Sequence, residues 1–201
     1  TLAPDPSIPK EYDLVTCARL VPNKGLAQLL DAVAALPGVT LLIIGDGPLR
    51  SPLSAHSSKL GIADRVTFVG WLPTLRDVYR ARQKGKMFIM NSRSEGNPRV
   101  AVEAMALGLP VVATRVGAMP EVIEDGRNGI FTSGDPRDLT EKIRMLLGDR
   151  ALRERLGAEA RRVLTRFERQ TCVAAYADFL KGLRRQPCFD KLSTSCNHGT
   201  M

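Results

Sequence analysis

Six short apolar runs, each giving way to a stretch with helical spacing, set the architecture of this 201-residue chain. The runs fall at 13–18, 39–44, 65–69, 86–91, 110–114 and 130–131. Runs of this length with little polar alternation read as strands buried on both faces, which a parallel sheet covered by helices provides. Helical patterns at 26–36, 48–60, 74–82 and 98–107 separate them, punctuated by Pro37-Gly38, Gly61 and Gly108. A shorter helix follows the loop at 115–121, and Asn128-Gly129 turns the chain into the last strand. Beyond Asp135-Pro136 only helical patterns remain, about 136–148, 150–166 and 168–185. The sequence thus predicts an α/β fold, a doubly wound parallel sheet of about six strands with a helical C-terminal segment. Residues 1–12, with Pro4, Pro6 and Pro9, read as an extended lead-in or linker, 13–185 as the domain, and 186–201 as a disordered tail.

Charge narrows the partners. The formal net charge is +8, which favours anionic ligands: nucleotides, nucleic acid or acidic lipid surfaces. Aromatics make up only 5% and none interleave with basic residues, so a nucleic-acid stacking platform is not expected. The helix at 150–166 carries Arg150, Arg153, Arg155, Arg161, Arg162 and Arg166. It could meet a membrane surface or another domain; the plainer reading is a solvated helix face. No apolar run reaches the roughly 20 residues of a membrane span. No signal-peptide pattern opens the chain, so the expected location is cytoplasmic, with a peripheral place at the inner membrane face as an option. Four cysteines are too few and too scattered for a disulfide scaffold, and Cys17 reads as a small core residue. Cys188, Cys196 and His198 cluster in the tail but match no zinc spacing. His56 reads as a lone surface histidine without a catalytic role.

The stretch from Ser94 to Gly108 carries the chemistry. It enters a nearly apolar helix in which Asn97 reads as the N-cap, Pro98 as the first helical residue and Gly108 as the residue past the end. Glu103 interrupts that apolar helix, and a carboxylate there needs a hydrogen-bond partner. Glu95 lies eight residues earlier, in the loop at the carboxyl end of a strand, where open α/β sheets bind ligands. The two acids could be a hydrolytic acid/base couple, metal ligands, structural groups or acceptors for sugar hydroxyls. Gly96 and the helix end at Pro98, Arg99 and Val100 could cradle a phosphate. Gly117 in the next loop could do the same. Arg19 and Lys24, after the first strand, bring cations to the same rim and suit a diphosphate. Gly45-Asp46-Gly47-Pro48 lacks the third glycine of a dinucleotide fingerprint. No serine-histidine-aspartate order or reactive-cysteine signature is visible.

As an ordered set these residues resemble a known family. Arg19 with Lys24-Gly25, Gly45-Asp46-Gly47-Pro48, Val69-Gly70, Glu95-Gly96 with Glu103, Gly108 to Thr114, and Gly117 with Pro120-Glu121 look like the C-terminal domain of retaining GT-B-fold glycosyltransferases, over roughly residues 13–180. The resemblance implies a Rossmann-like nucleotide-sugar-binding domain and transfer of a hexose from a UDP-, GDP- or ADP-sugar to a glycan or lipid-linked acceptor. It implies no metal and no other cofactor. Arg19 and Lys24 would take the diphosphate, and Glu95 the transferred sugar. Glu103 would take the ribose hydroxyls. Gly96, Asn97, Pro98, Arg99 and Val100 would meet the phosphates or sugar, and Gly70 and Leu72 the base. Three departures stand out. The family's N-terminal acceptor-binding domain is absent, so binding without efficient transfer is expected of this polypeptide alone. Ala118 replaces a common second glycine, and Gln83-Lys84-Gly85-Lys86 is unusually polar before a strand. A non-catalytic nucleotide-sugar-binding module and a sugar-nucleotide epimerase are the alternatives.

Overall fold

The computed structural model of the chain describes residues 3–162, which lie in one compact unit. The expected helix 168–185, the end of the helix 150–166, the tail 186–201, and Cys172, Cys188, Cys196 and His198 lie outside the described residues.

Six strands form one sheet: β1 (Tyr12–Cys17), β2 (Leu41–Ile44), β3 (Val66–Gly70), β4 (Gly85–Met90), β5 (Val111–Thr114) and β6 (Ile130–Thr132). Their order is β3-β2-β1-β4-β5-β6, and every pairing is parallel. Helices α1 (Leu26–Ala34), α2 (Arg50–Lys59), α3 (Leu75–Gln83), α4 (Arg99–Ala106) and α5 (Met119–Val122) fill the crossovers. Two more, α6 (Pro136–Gly148) and α7 (Arg150–Arg161), follow β6. The expected doubly wound α/β sheet is present. Strand order reverses between β1 and β4, which opens a crevice outside their carboxyl ends.

Two apolar layers hold the sheet. Leu14, Met87 and Ile89 face a cluster completed by Leu29, Leu30, Leu139 and Ile143. Their alternates Val15, Phe88 and Met90 face Ala101, Ala104 and Met105 of α4. Each of these residues is at most 4% exposed. At about 1.5–3 kcal/mol for each large side chain buried, these layers supply most of the driving force. Parallel strands buried on both faces explain why the runs are apolar throughout.

The lead-in is no free linker. Ile8 is buried, the Asp5 backbone N–H donates to Gln83 Oε1 (2.6 Å), and Lys10 Nζ donates to the Gln83 carbonyl (2.7 Å). The backbone N–H groups of Glu11 and Tyr12 both donate to the Lys84 carbonyl, at 2.9 and 3.0 Å. The polar lead into β4 is therefore used: Gln83 and Lys84 anchor the first residues, and Lys86 pairs with Asp13 at 2.7 Å. The cations of α7 also meet protein groups. Arg150 pairs with Glu154 (2.7 Å), Arg153 caps the last carbonyls of α6 at Leu146 and Leu147, and Arg155 donates to the Gly126 carbonyl (3.2 Å).

The opening of α4 differs from expectation. The helix starts at Arg99, Pro98 occupies the cap position, and no side chain caps the first turn. Proline has no side-chain oxygen to accept from the first helical N–H groups, and Asn97 contributes only its carbonyl, which accepts from the Arg99 N–H at 2.9 Å. The far end agrees: Gly108 has φ +73 just past the helix.

Candidate functional site

The loop after β1 carries Arg19 and Lys24 to the carboxyl rim. It is held by the turn after β2: the Leu20 N–H donates to the Asp46 carbonyl (2.9 Å) and the Leu49 N–H to the Leu20 carbonyl (3.0 Å). Gly45 permits this approach. Its φ is +120, and a Cβ there would stand 2.1 Å from the Ala18 carbonyl oxygen. The glycines of this turn thus position Arg19 and do not themselves form a dinucleotide fingerprint.

Across the crevice, Glu95 sits in the loop after β4. Lys24 Nζ and Ser92 Oγ both donate to Glu95 Oε1, each at 2.6 Å. The Ser92 carbonyl is fixed in turn by Thr114 Oγ1 at 2.5 Å. Both members of the Lys24–Glu95 pair are mostly buried, with side chains 19% and 14% exposed. The Arg19 side chain is exposed and makes no hydrogen bond or ion pair among the described residues. The rim therefore presents Lys24 neutralised and Arg19 uncompensated, beside a helix whose first turn has no side-chain cap. That is a receptive setting for an anion.

A cavity of about 870 Å³, lined by Gly25, Arg93, Arg115 and Lys142 among others, shares Asn91 and Ser92 with the smaller of two that meet at Arg19. One, of about 250 Å³, is lined by Arg19, Lys24, Glu95, Asn97, Pro98, Arg99 and Val100, together with Thr16, Cys17, Asn91 and Ser92. The second, of about 520 Å³, is lined by Gly70, Trp71, Leu72, Pro73, Thr74, Leu75 and Val78, and by Gly45 and Asp46. Cys17, Ala18, Arg19 and Val100 border both. The first gathers the charged side chains of Arg19, Lys24, Glu95 and Arg99. The second is walled by apolar and aromatic side chains, with Trp71 strongly exposed at its mouth. A charged compartment joined to an apolar one suits a ligand with a charged segment and a flat ring.

Glu103 lies one turn into α4, below Arg99. Arg82 Nη1 donates to its Oε2 at 2.6 Å, and Arg99 Nη2 stands 3.7 Å from Oε1. The Arg82 side chain is 3% exposed. Burial opposes its charge, but Cys17 and Glu103 outweigh that and hold the guanidinium above its ordinary value.

The profile of the family described as "Glycosyl transferases group 1" matches residues 3–163. The chain belongs to that family. Among its relatives is the lipopolysaccharide core biosynthesis glycosyltransferase LpsE of Rhizobium meliloti (strain 1021), 34% identical over 169 residues, which cover 83% of this chain and 49% of the relative. The D-inositol 3-phosphate glycosyltransferase of Mycobacterium marinum is 40% identical over 137 residues, 65% of this chain and 29% of that protein. Among solved structures, Anabaena Alr3699/HepE in complex with UDP and glucose superposes with a TM-score of 0.77 at 29% identity, covering 85% of this chain and 48% of that one. The C-terminal domain of the group 1 family protein LpcC from Francisella tularensis gives 0.72 at 25% identity, covering 80% and 87%. This chain spans about half the length of the LpsE relative and most of the isolated LpcC domain. The fold is that of a GT-B glycosyltransferase domain of the C-terminal type.

In this glycosyltransferase domain most of the expected site residues converge on one crevice. Gly96 and Glu103 line neither cavity directly. Gly96 flanks the crevice, and a Cβ there would meet nothing within 4 Å. Gly117 plays a different part from the one expected. Its φ is +54, and a Cβ would fall 2.3 Å from the Gly96 carbonyl oxygen, so it packs the β5 loop onto the Glu95 loop. Ala118, in place of a glycine, supports the same contact by donating its N–H to the Gly96 carbonyl at 3.0 Å. Cys17 is not a plain core residue: it is half-buried, borders both cavities and accepts from Arg82 Nη2 at 3.3 Å. His56 pairs with Asp31 at 2.7 Å and ties α2 to α1, away from the crevice. Ser92, Asn91 and Arg82 were not legible as site residues. Asn91 and Ser92 follow the apolar run of β4 as two ordinary polar residues at a strand end, and Arg82 is one of several arginines on a helix whose larger apolar residues are Leu75, Val78 and Tyr79. Among the described residues no group of three or more His, Cys, Asp or Glu side chains gathers. No described helix is long and apolar enough to cross a membrane.

Proposed function

We propose that this chain is the donor-binding half of a retaining glycosyltransferase that moves a hexose from a nucleoside diphosphate sugar to a glycan or lipid-linked acceptor. The observation that carries the reading is the pair of adjoining cavities. The apolar compartment behind Trp71 and Leu72 accommodates base and ribose, and the compartment of Arg19, Lys24 and Glu95 accommodates diphosphate and sugar. That HepE is solved in complex with UDP and glucose supports a nucleotide-sugar ligand for this fold. As the bond from the anomeric carbon to the diphosphate breaks, negative charge grows on the leaving phosphate. Arg19 and Lys24 meet that charge, and the uncapped N-terminus of α4 adds its dipole. These groups suffice without a metal ion. Glu95, released from Lys24 when the diphosphate arrives, accepts from hydroxyls of the sugar, and Glu103 accepts from the ribose.

The isolated 201-residue polypeptide then binds a nucleoside diphosphate and transfers poorly, because about half of the length of its relatives is not in it. Titrating UDP, GDP and ADP by calorimetry identifies the base. Replacing Glu103 by alanine should weaken the best of them by about 10- to 100-fold, the worth of a hydrogen bond to a charged group. Unchanged affinity in a folded variant would end the ribose assignment. Robust transfer or donor hydrolysis by the isolated chain would end the claim that the other half is required. The working location is cytoplasmic.

A further inference from the structure

Glu103 is held by a side chain that no site motif includes. Arg82 ends α3, is 2% exposed, and reaches across to two elements at once. Its Nη1 meets Glu103 Oε2 at 2.6 Å on α4, and its Nη2 meets Cys17 Sγ at 3.3 Å at the tip of β1. Its plane lies near the rings of Tyr79 (5.8 Å) and Phe88 (5.9 Å), and its Nε finds no acceptor. Burying a guanidinium with one donor unsatisfied is costly, and an aliphatic side chain of the same length would pack α3 onto the sheet without that cost. The fold alone does not call for an arginine here.

We propose that Arg82 is the positioning residue that presents Glu103 to the nucleotide. The proposal rests on the reading that Glu103 takes the ribose. An acceptor for two vicinal hydroxyls must keep one rotamer and leave an oxygen uncovered. Arg82 meets both needs from beneath. It pairs with Oε2 inside the protein, which leaves Oε1 with only the distant Arg99 nitrogen at 3.7 Å. Cys17 fixes the other arm of the guanidinium, so the fork cannot swing away. Lysine would give charge without this two-armed hold.

The test separates the ribose contribution from the rest of binding. The nucleoside diphosphate that binds tightest among UDP, GDP and ADP is compared with its 2′,3′-dideoxy counterpart and with inorganic pyrophosphate, all titrated calorimetrically on the 201-residue chain. The wild-type chain should prefer the ribose form by about 30-fold, the size of one good bond to a charged acceptor. In Arg82→Met that preference should fall to within about threefold while pyrophosphate affinity stays within about twofold, because Arg82 lies away from the diphosphate groups. Arg82→Lys should fall between the two and serves as the deciding variant if Arg82→Met does not fold, as read by thermal unfolding. If the variants fold and keep the full preference while Glu103→Gln abolishes it, the role of Arg82 is overturned and the ribose reading stands. A parallel loss of pyrophosphate affinity would overturn it in favour of a merely structural role. A wild-type chain without any ribose preference overturns both.

Discussion

Lys24 and Glu95 show how a single contact can hide a site. The lysine is satisfied by the carboxylate at 2.6 Å, so the charge that would meet a diphosphate is already spent on its neighbour. An incoming diphosphate must share or displace Glu95. The consequence is a prediction of unusual sign. Glu95→Gln removes the competing charge and should tighten inorganic pyrophosphate binding by about fivefold, since a charge pair near the surface is worth about 1 kcal/mol or more. Calorimetry on the variant checks it, and weaker binding would mean that Lys24 is not the diphosphate ligand. Glu95 itself was legible from its place after an apolar run. Its bond to Ser92, three residues earlier, was not, because a serine at a strand end has many ordinary uses. Arg82 was still less legible: its partners Glu103 and Cys17 lie 21 and 65 residues away, and it is one of three arginines on a short helix.

At the scale of elements, the site is a set of loops held at fixed distances by backbone contacts. The turn after β2 fixes the loop of Arg19, and the loop after β5 fixes that of Glu95. The second joint depends on Gly117, whose φ of +54 and whose 2.3 Å clearance to the Gly96 carbonyl leave no room for a side chain. Gly117→Ala should lower stability by roughly 1–3 kcal/mol, the usual cost of forcing a side chain into a left-handed, crowded position. Urea unfolding should show a lower midpoint at unchanged slope. A midpoint equal to wild type would mean that the loop can move aside. Helix bounds in this chain were legible to within about two residues at either end. Gly108 marks the end of α4 by its own backbone chemistry. The start moved from Pro98 to Arg99 because the chain between Glu95 and Pro98 is shaped by the neighbouring β5 loop.

For the whole molecule, acid should be the sensitive direction. Asp13 ties β1 to the residue before β2 and to β4, through the Thr40 N–H (3.0 Å) and Lys86 (2.7 Å). Burial alone would raise its carboxyl, but Lys86 and Thr40 outweigh burial and hold it below the usual range. Asp138 is lowered in the same way: burial is outweighed by Thr132, Ser133 and Lys142. A carboxyl lowered by folding stabilises the native state above its unfolded value, and that contribution is lost as pH falls through the depressed native value. The wild-type chain should therefore lose stability below about pH 4, a fall reinforced by its positive net charge. Asp13→Asn should melt lower than wild type at pH 7, and the gap should close as pH falls toward about 3. Thermal unfolding across that range checks the sign; a gap that widens in acid would exclude it.

The class of fold and the rim that carries the chemistry can be read along the chain. Strands buried on both faces must be written as apolar runs, and a parallel sheet places the loops with Arg19, Lys24 and Glu95 on one edge whatever else the chain contains. Those facts are local, or follow from topology. The contacts that bridge distant positions come from the folded arrangement alone: Lys24 with Glu95, Arg82 with Glu103 and Cys17, Gly117 against Gly96, and the lead-in bound to Gln83 and Lys84. Each depends on where two loops or helices come to rest, to within an ångström. A pattern read along one stretch of chain has no access to that distance.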